Sequence, residues 1–188
     1  MSAARLCLAA VVAAGACAGL AGPAAAASGP SVKMYDDCDP ASFNAALGAG
    51  VCVGDGRTTF FEFVTTVATT KSHPEWRFEP AARTIGAGQS LDVRNRGGET
   101  HTFTEVPRKV GFQDIGCVPP VNALLLGLPP NDPNVPIPLS PLCGDPNVEP
   151  NEIRPDARQT VQPKGAGTHL YQCMIHPWMR TTVRVKDD

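Results

Sequence analysis

Four side chains that can bind a soft metal ion lie in two parts of the chain. Cys173, His176 and Met179 follow one another at the spacing Cys-x-x-His-x-x-Met. A turn between two strands can bring this thiolate, imidazole and thioether to one point. The set suits copper, because sulfur ligands favour Cu(I) and imidazole accepts both Cu(I) and Cu(II). A trigonal site needs a second imidazole, and His101, which begins a predicted strand after a Gly-Gly turn, is the candidate.

Each of these assignments has a simpler alternative. Cys173 can instead form a disulfide, Met179 can be a core side chain, and His101 can be a structural residue of its strand. Alternation along a strand places His169 on the same face as Cys173, and we predict that it is packed rather than ligating. His73, which precedes a proline, is predicted to be a surface loop residue.

The N-terminus has the organisation of an export signal. Arg5 is the only charged residue among the first thirty, an apolar run follows it, and Ala24 to Ala27 offer a small-residue cleavage site. We predict a signal peptide over residues 1–27 and an exported protein, periplasmic or extracellular. The alternatives are a retained membrane helix or lipidation at Cys17, and only these would attach the chain to a membrane.

The number of cysteines supports an exported location and leaves one thiol outside the predicted disulfides. The sequence has seven cysteines, of which two would leave with the signal peptide. Two local pairs, Cys38 with Cys52 and Cys117 with Cys143, are predicted to form disulfides. An odd number in an exported protein leaves one thiol for another task, and that thiol is Cys173.

Composition excludes several classes of protein. The 188 residues include 16 Lys plus Arg against 18 Asp plus Glu, for a net charge of −2, so a nucleic-acid partner is disfavoured. Eighteen glycines and 19 prolines argue against a helical bundle and favour a loop-rich β domain. The length predicts one domain with additions, and we expect a monomer.

Residues 28–75 are predicted to form an N-terminal appendage with short helices. Asp39 followed by proline marks a helix start, and Gly48 marks its end. Thr59 and Glu62 form the pattern of a capping box, which favours a second helix. The many Thr and Phe residues after Thr59 would suit a strand instead.

The remaining segment, residues 76–188, alternates in the manner of short strands separated by glycine turns, which predicts a β sandwich. Residues 107–155 interrupt this pattern and hold twelve of the 19 prolines. Since proline lacks a donor for a sheet ladder, we interpret this stretch as an inserted loop. The apolar residues 121–128 are expected to cover one end of the sandwich.

With these patterns in place, the chain resembles the cupredoxins, a family that includes plastocyanin, amicyanin and pseudoazurin. The matching residues are Trp76 to Pro80, Gly88 to Ser90, Asn95, His101, Gly167 to Cys173 and His176 to Arg180. The resemblance implies an all-β, Greek-key sandwich with one type 1 copper ion. It implies His101, Cys173, His176 and Met179 as the ligands.

Two features depart from the family pattern. The residue after the first histidine is often Asn in cupredoxins and is Thr102 here. We predict that the Thr102 backbone amide still donates to the Cys173 sulfur. The appendage and the Pro-rich insertion have no counterpart in the small family members, which leaves the partner-binding surface undefined.

The resemblance implies an electron carrier rather than an enzyme. Only four histidines are present, so no second cluster is available for a catalytic copper centre. Protein redox partners are expected to dock near His176, Pro177 and Trp178, over an exposed edge of His176, although both rim residues can also be simple packing. The alternatives are a copper protein for delivery or tolerance, and a metal-free interaction domain on the same scaffold.

Overall fold

Two four-stranded sheets form the body of the protein. A computed structural model describes residues 29–129, 132–146, 148 and 151–187. One sheet has the strand order β2-β1-β4-β8 and the other the order β3-β10-β9-β6, with a separate β5-β7 pair. The strands are β1 (Ser31–Tyr35), β2 (Arg77–Glu79), β3 (Ala82–Ile85), β4 (Leu91–Asn95), β5 (His101–Thr102), β6 (Thr104–Val106), β7 (Glu152–Ile153), β8 (Arg158–Val161), β9 (Gly167–Gln172) and β10 (Arg180–Val185).

The core lies between the two sheets and follows from alternation along their strands. In β4 the residues Leu91 and Val93 are fully buried, while Asp92 between them and Arg94 after them are partly exposed. Tyr171 of β9 and Val183 of β10 enter the same core from the other sheet. The period-two pattern therefore predicted a β sandwich, and the structure is one.

The strand β1 corrects the predicted appendage at residues 28–75. It is an inner strand that pairs in parallel with β4 and antiparallel with β2. Val32 and Met34 alternate inward in this strand and are completely buried. Five residues with two apolar positions are a weak sequence signal, which is why the sandwich was predicted to begin only at Trp76.

In the described part of the chain, three helices lie outside the sheets. They are α1 (Pro40–Leu47), α2 (Phe60–Thr70) and α3 (Pro119–Leu126). The predicted caps are present: the Asp39 carboxylate accepts from the first turn of α1, and Thr59 with Glu62 forms the capping box of α2. The helix prediction for residues after Thr59 is thus confirmed.

Both predicted disulfides are present. Cys38–Cys52 closes the loop around α1, and Cys117–Cys143 closes the Pro-rich segment. Cys173 is a free, buried thiol. The Pro-rich segment is not irregular throughout, because it contains α3 and β7.

Helices α1, α2 and α3 gather at one end of the sandwich. Phe43 of α1 packs with its ring centroid 5.3 Å from Phe60 and 5.6 Å from Phe63 of α2. Val121 and Leu124 of α3 pack against the same core cluster. The predicted cover at residues 121–128 is therefore present.

No helix among the described residues is long and apolar enough to cross a bilayer. The predicted signal peptide, residues 1–27, lies outside the described residues.

Candidate metal centre

The loop between β9 and β10 presents the Cys-x-x-His-x-x-Met residues as one closed turn. The Cys173 N–H donates to the Met179 carbonyl at 3.0 Å, and the Met179 N–H donates to the His176 carbonyl at 2.9 Å. These two bonds fold the seven-residue segment back on itself at the sheet end. All three predicted ligands of the loop are therefore buried at the same place.

His101 reaches this turn from β5. Its backbone pairs with Ile153 of β7, and the fully buried Asn95 side chain donates to the carbonyls of Ile153 at 2.9 Å and Glu99 at 2.7 Å. These bonds hold the loop that precedes His101. Asn95, one of the residues named in the sequence motif, thus positions the loop that precedes His101.

Three donor atoms converge in the interior. The Nδ1 atoms of His101 and His176 lie 3.3 Å apart, and the Cys173 sulfur lies 4.0 Å from the His101 Nδ1. Donor atoms of the three residues all fall within 4.8 Å of one another. The structure therefore brings together three of the four side chains that the sequence predicted.

The environment of the Cys173 sulfur favours the thiolate. The backbone N–H groups of Thr102 and His176 both donate to it at 3.4 Å, and the Thr102 bond is the one predicted from the sequence. Burial raises the pKa of this thiol, but its hydrogen bonds with His101 and His176 outweigh burial and hold the pKa well below its usual range. A thiolate is the form that binds a metal.

A buried carboxylate orients His101. The Nε2 atom of His101 lies 2.8 Å from the Asp36 Oδ2, and both side chains are completely excluded from solvent. Burial lowers the pKa of His101, but the bonds with Asp36 and Cys173 outweigh it and raise the pKa to about 10. With Nε2 engaged by Asp36, Nδ1 is the nitrogen that faces the sulfur.

The turn before His101 is built to receive Asp36. The N–H groups of Gly98 and Glu99 donate to the Asp36 carboxylate at 2.9 and 3.1 Å. A Cβ atom on Gly97 would stand 1.9 Å from the Asp36 Oδ2, so only glycine fits there. Burial raises the pKa of Asp36, but its bonds with His101 and these amides prevail and lower it.

A second buried carboxylate lies beside His176. The Glu99 Oε2 is 3.7 Å from the His176 Nε2 and accepts the Trp76 indole N–H at 2.6 Å. Burial raises the pKa of Glu99, and the nearby His176 opposes the rise only in part. Each candidate imidazole ligand therefore has a carboxyl group near its outer nitrogen, the usual arrangement around protein metal sites.

The expectation of an exposed His176 edge is wrong. His176 is only 3% exposed, and its ring is in contact with Phe63 at 6.0 Å and Trp178 at 5.5 Å between centroids. Pro177 is buried as well, and Trp178 is partly exposed. Phe63 belongs to helix α2, so this helix contributes to the cover over His176.

His73 also differs from its prediction as a surface residue. It is 7% exposed and packs against Phe63 and Trp76 at the same end of the sandwich. Its Nδ1 accepts the Glu75 backbone N–H at 3.3 Å. His169 follows its prediction: it is packed away from the turn, with its Nδ1 2.8 Å from the Glu105 carboxylate.

The two methionines of the turn lie in different parts of the core. Met179 is fully buried in the main cluster that also holds Cys173. Met174 belongs to a second cluster with Val106 and Leu142. Met179 therefore shares a cluster with Cys173 and Met174 does not, and the axial role of Met179 stays a prediction.

The donor set fits a copper ion. Two imidazole nitrogens whose lone pairs face each other at 3.3 Å repel unless a proton or a cation lies between them. Donors about 2.0–2.3 Å from a central ion stand roughly 3.5–4 Å from each other, close to the spacing found here. Two imidazoles and one thiolate are the trigonal ligands of a type 1 copper site.

The turn that holds Cys173, His176 and Met179 lies at one end of the two-sheet sandwich, and the neighbouring strand β5 supplies His101. The fold is cupredoxin-like. Searches against known proteins found similar solved structures at low identity. A purple cupredoxin from Nitrosopumilus maritimus has a TM-score of 0.41 and 11% identity, over 84% of this chain and 99% of its own.

Two further solved structures are also similar at low sequence identity. A mutant fern plastocyanin has a TM-score of 0.39 and 15% identity, over 83% of this chain and 99% of its own. A mutant amicyanin in its reduced state has a TM-score of 0.36 and 16% identity, over 58% and 73%. No protein-family model matches the chain, and no curated protein matches it.

Sequence reasoning missed Asp36 and Glu99. Asp36 lies 65 residues before His101, and no spacing rule connects them. The one available signal was the Gly97-Gly98 turn, since paired glycines often mark a close approach of another group. Here that group is the Asp36 carboxylate.

Proposed function

We propose that this chain is an exported mononuclear type 1 copper protein that carries single electrons. The observation that carries the proposal is the buried convergence of His101, Cys173 and His176 within 4.8 Å. Met179 completes the proposed ligand set as a weak axial donor. When bound, copper supplies a one-electron couple between Cu(I) and Cu(II).

The protein's own residues set up this chemistry before any metal arrives. Asp36 fixes the orientation of His101, and the two N–H donors to the sulfur hold Cys173 in place. Groups that are already held by hydrogen bonds in a dry interior need little rearrangement when charge changes. Such a site suits rapid electron exchange rather than binding and release of a substrate.

The proposal includes protein redox partners. Because His176 is covered, we propose that they dock at a different point of the surface. Trp178 is partly exposed and its ring centroid lies 5.5 Å from that of His176. Lys71, Arg180 and Trp178 line a common surface cavity. We place partner docking over Trp178, and we keep the exported location and a monomeric state as proposals.

Voltammetry of the copper-loaded protein tests the electron-carrier function. We expect a reversible one-electron couple, together with retention of Cu(I) when a Cu(I) chelator is added after reduction. A copper-delivery protein would instead lose its metal to the chelator on reduction. An irreversible couple with metal loss would therefore favour the alternative function in copper delivery or tolerance.

A further inference from the structure

An apolar cavity opens between the three helices and reaches the candidate metal centre. Its volume is about 220 Å³. Phe60 and Phe63 of α2 and Leu124 of α3 form much of its wall, and Glu99 and His176 lie at its inner end. Both of these inner residues are more than nine-tenths buried. The cavity therefore leads to the outer side of a proposed copper ligand.

The cavity has an access from solvent. Leu47 and Val51 line it and are 48% and 37% exposed. Leu47 ends α1 and Val51 lies four residues later, and both are inside the loop that the Cys38–Cys52 disulfide closes. Their exposed side chains therefore place one edge of the cavity at the surface of the protein.

Size and wall chemistry select an aromatic occupant. An apolar cavity of roughly 150 Å³ is large enough to take up benzene, so this cavity accepts a ring with one or two substituents. Phenylalanine walls favour edge or stacked contacts with another ring. Strongly polar ligands would lose their hydration without compensation.

Glu99 determines which polar group a molecule bound in the cavity should carry. Its Oε2 already accepts the Trp76 indole N–H, and a carboxyl group has further acceptor sites. A ligand hydroxyl can donate to such an acceptor site, whereas an anionic ligand has no donor to offer and would carry a full charge into an apolar cavity. A neutral phenol satisfies this acceptor without burying a full charge of its own.

We infer that the cavity is a binding site for small phenols, with the phenol hydroxyl donating to Glu99 and the ring held between α2 and α3. The site lies against the outer edge of His176. Binding needs the helices and Glu99, and it does not need the metal. The inference therefore goes beyond the proposed electron carrier and can be tested apart from it.

The test is a titration of the full mature protein with p-cresol, followed by calorimetry, in the metal-free form and loaded with Cu(I). The comparison ligand is 4-methylanisole, which has nearly the same shape but no hydroxyl donor. We expect saturable binding of p-cresol about tenfold tighter than that of 4-methylanisole, the value of one additional hydrogen bond. Absence of saturable p-cresol binding to both forms, or equal affinity for the two ligands, overturns the inference.

Two variants of α3 locate the site. Val121 lines the cavity and Leu126 of the same helix does not. Val121→Phe fills the cavity and should abolish binding, whereas Leu126→Phe adds the same bulk outside and should leave affinity unchanged. Full affinity in Val121→Phe would show that the ligand binds elsewhere.

A third variant tests the hydrogen bond itself. Glu99→Gln keeps an oxygen for the Trp76 indole but offers an N–H donor to the cavity. The preference for p-cresol over 4-methylanisole should then shrink or reverse. An unchanged tenfold preference in the folded variant would remove Glu99 from the site. If this variant does not fold, the ligand pair and the α3 variants still decide the question.

Discussion

Asp36 places a full negative charge next to the outer nitrogen of His101, in a part of the protein that water does not reach. A negative charge stabilises Cu(II) more than Cu(I), because the oxidised site carries one more positive charge. Asp36→Asn should therefore raise the reduction potential. With an effective dielectric constant of about 20 and a separation of roughly 7 Å, the rise is on the order of 100 mV.

Protein-film voltammetry measures this shift, and a neighbouring residue supplies the control. Asp37→Asn removes the same charge one residue away, where the side chain bonds to Thr58 instead of a proposed ligand. We expect a much smaller change in that variant. Equal shifts in the two variants would show that Asp36 acts only through net charge and not through His101.

Met179 is predicted to tune the same potential as a weak axial donor. Met179→Gln offers a harder oxygen ligand, so it should keep the colour and lower the potential. Met179→Leu removes the donor and should raise the potential. Met174→Leu is the matched control, since Met174 lies in the second core cluster, and its potential should stay nearly unchanged. A shift in Met174→Leu without one in the Met179 variants would mean that the wrong methionine was assigned.

The helices α1 and α2 form the cover of the site, and His73 makes part of that cover sensitive to pH. Burial lowers the pKa of His73, and the carboxylates of Glu75, Asp37 and Glu62 offset this only in part. Its folded pKa therefore lies below the unfolded value of about 6.5. The contribution of neutral His73 to the free energy of unfolding is therefore fully present above the unfolded pKa. It is lost as the pH falls through the folded pKa, because the unfolded chain then binds more protons than the folded chain.

Denaturant unfolding of the metal-free protein at pH 7.5 and pH 5.0 checks this dependence. His73→Phe keeps a ring between Phe63 and Trp76 but cannot be protonated. We expect a smaller loss of stability on acidification in His73→Phe than in the wild type. The same loss in both proteins would exclude His73 as the source.

The elements that sequence analysis predicted well carry strong local signals. Asp39 with its following proline and the Thr59–Glu62 capping box each specify a helix start within four residues. The strand β1 was missed because its partners β2 and β4 lie more than forty residues away in the chain. Pairing over such distances leaves no local trace beyond the alternation of Val32 and Met34.

The candidate site likewise has one part with strong local sequence signals and one part without them. The spacing of Cys173, His176 and Met179 is local in the sequence, and His101 was the candidate for the second imidazole because it follows a glycine turn and begins a predicted strand. The contact of Phe63 with His176 and the bond between Asp36 and His101 each join residues that lie far apart in the chain. For that reason the sequence predicted an exposed histidine where the structure has a covered one.

The described part of the chain is thus a sandwich with a dry cluster of His101, Cys173 and His176 at the end that three helices cover. The central claim is that this cluster binds copper through a thiolate. The most direct test is to titrate Cu(II) into the mature protein and record its visible and EPR spectra. We predict one copper per chain with an intense charge-transfer band near ~600 nm, and no such band in Cys173→Ser. A colourless protein that holds one Cu(II) per chain would contradict the account.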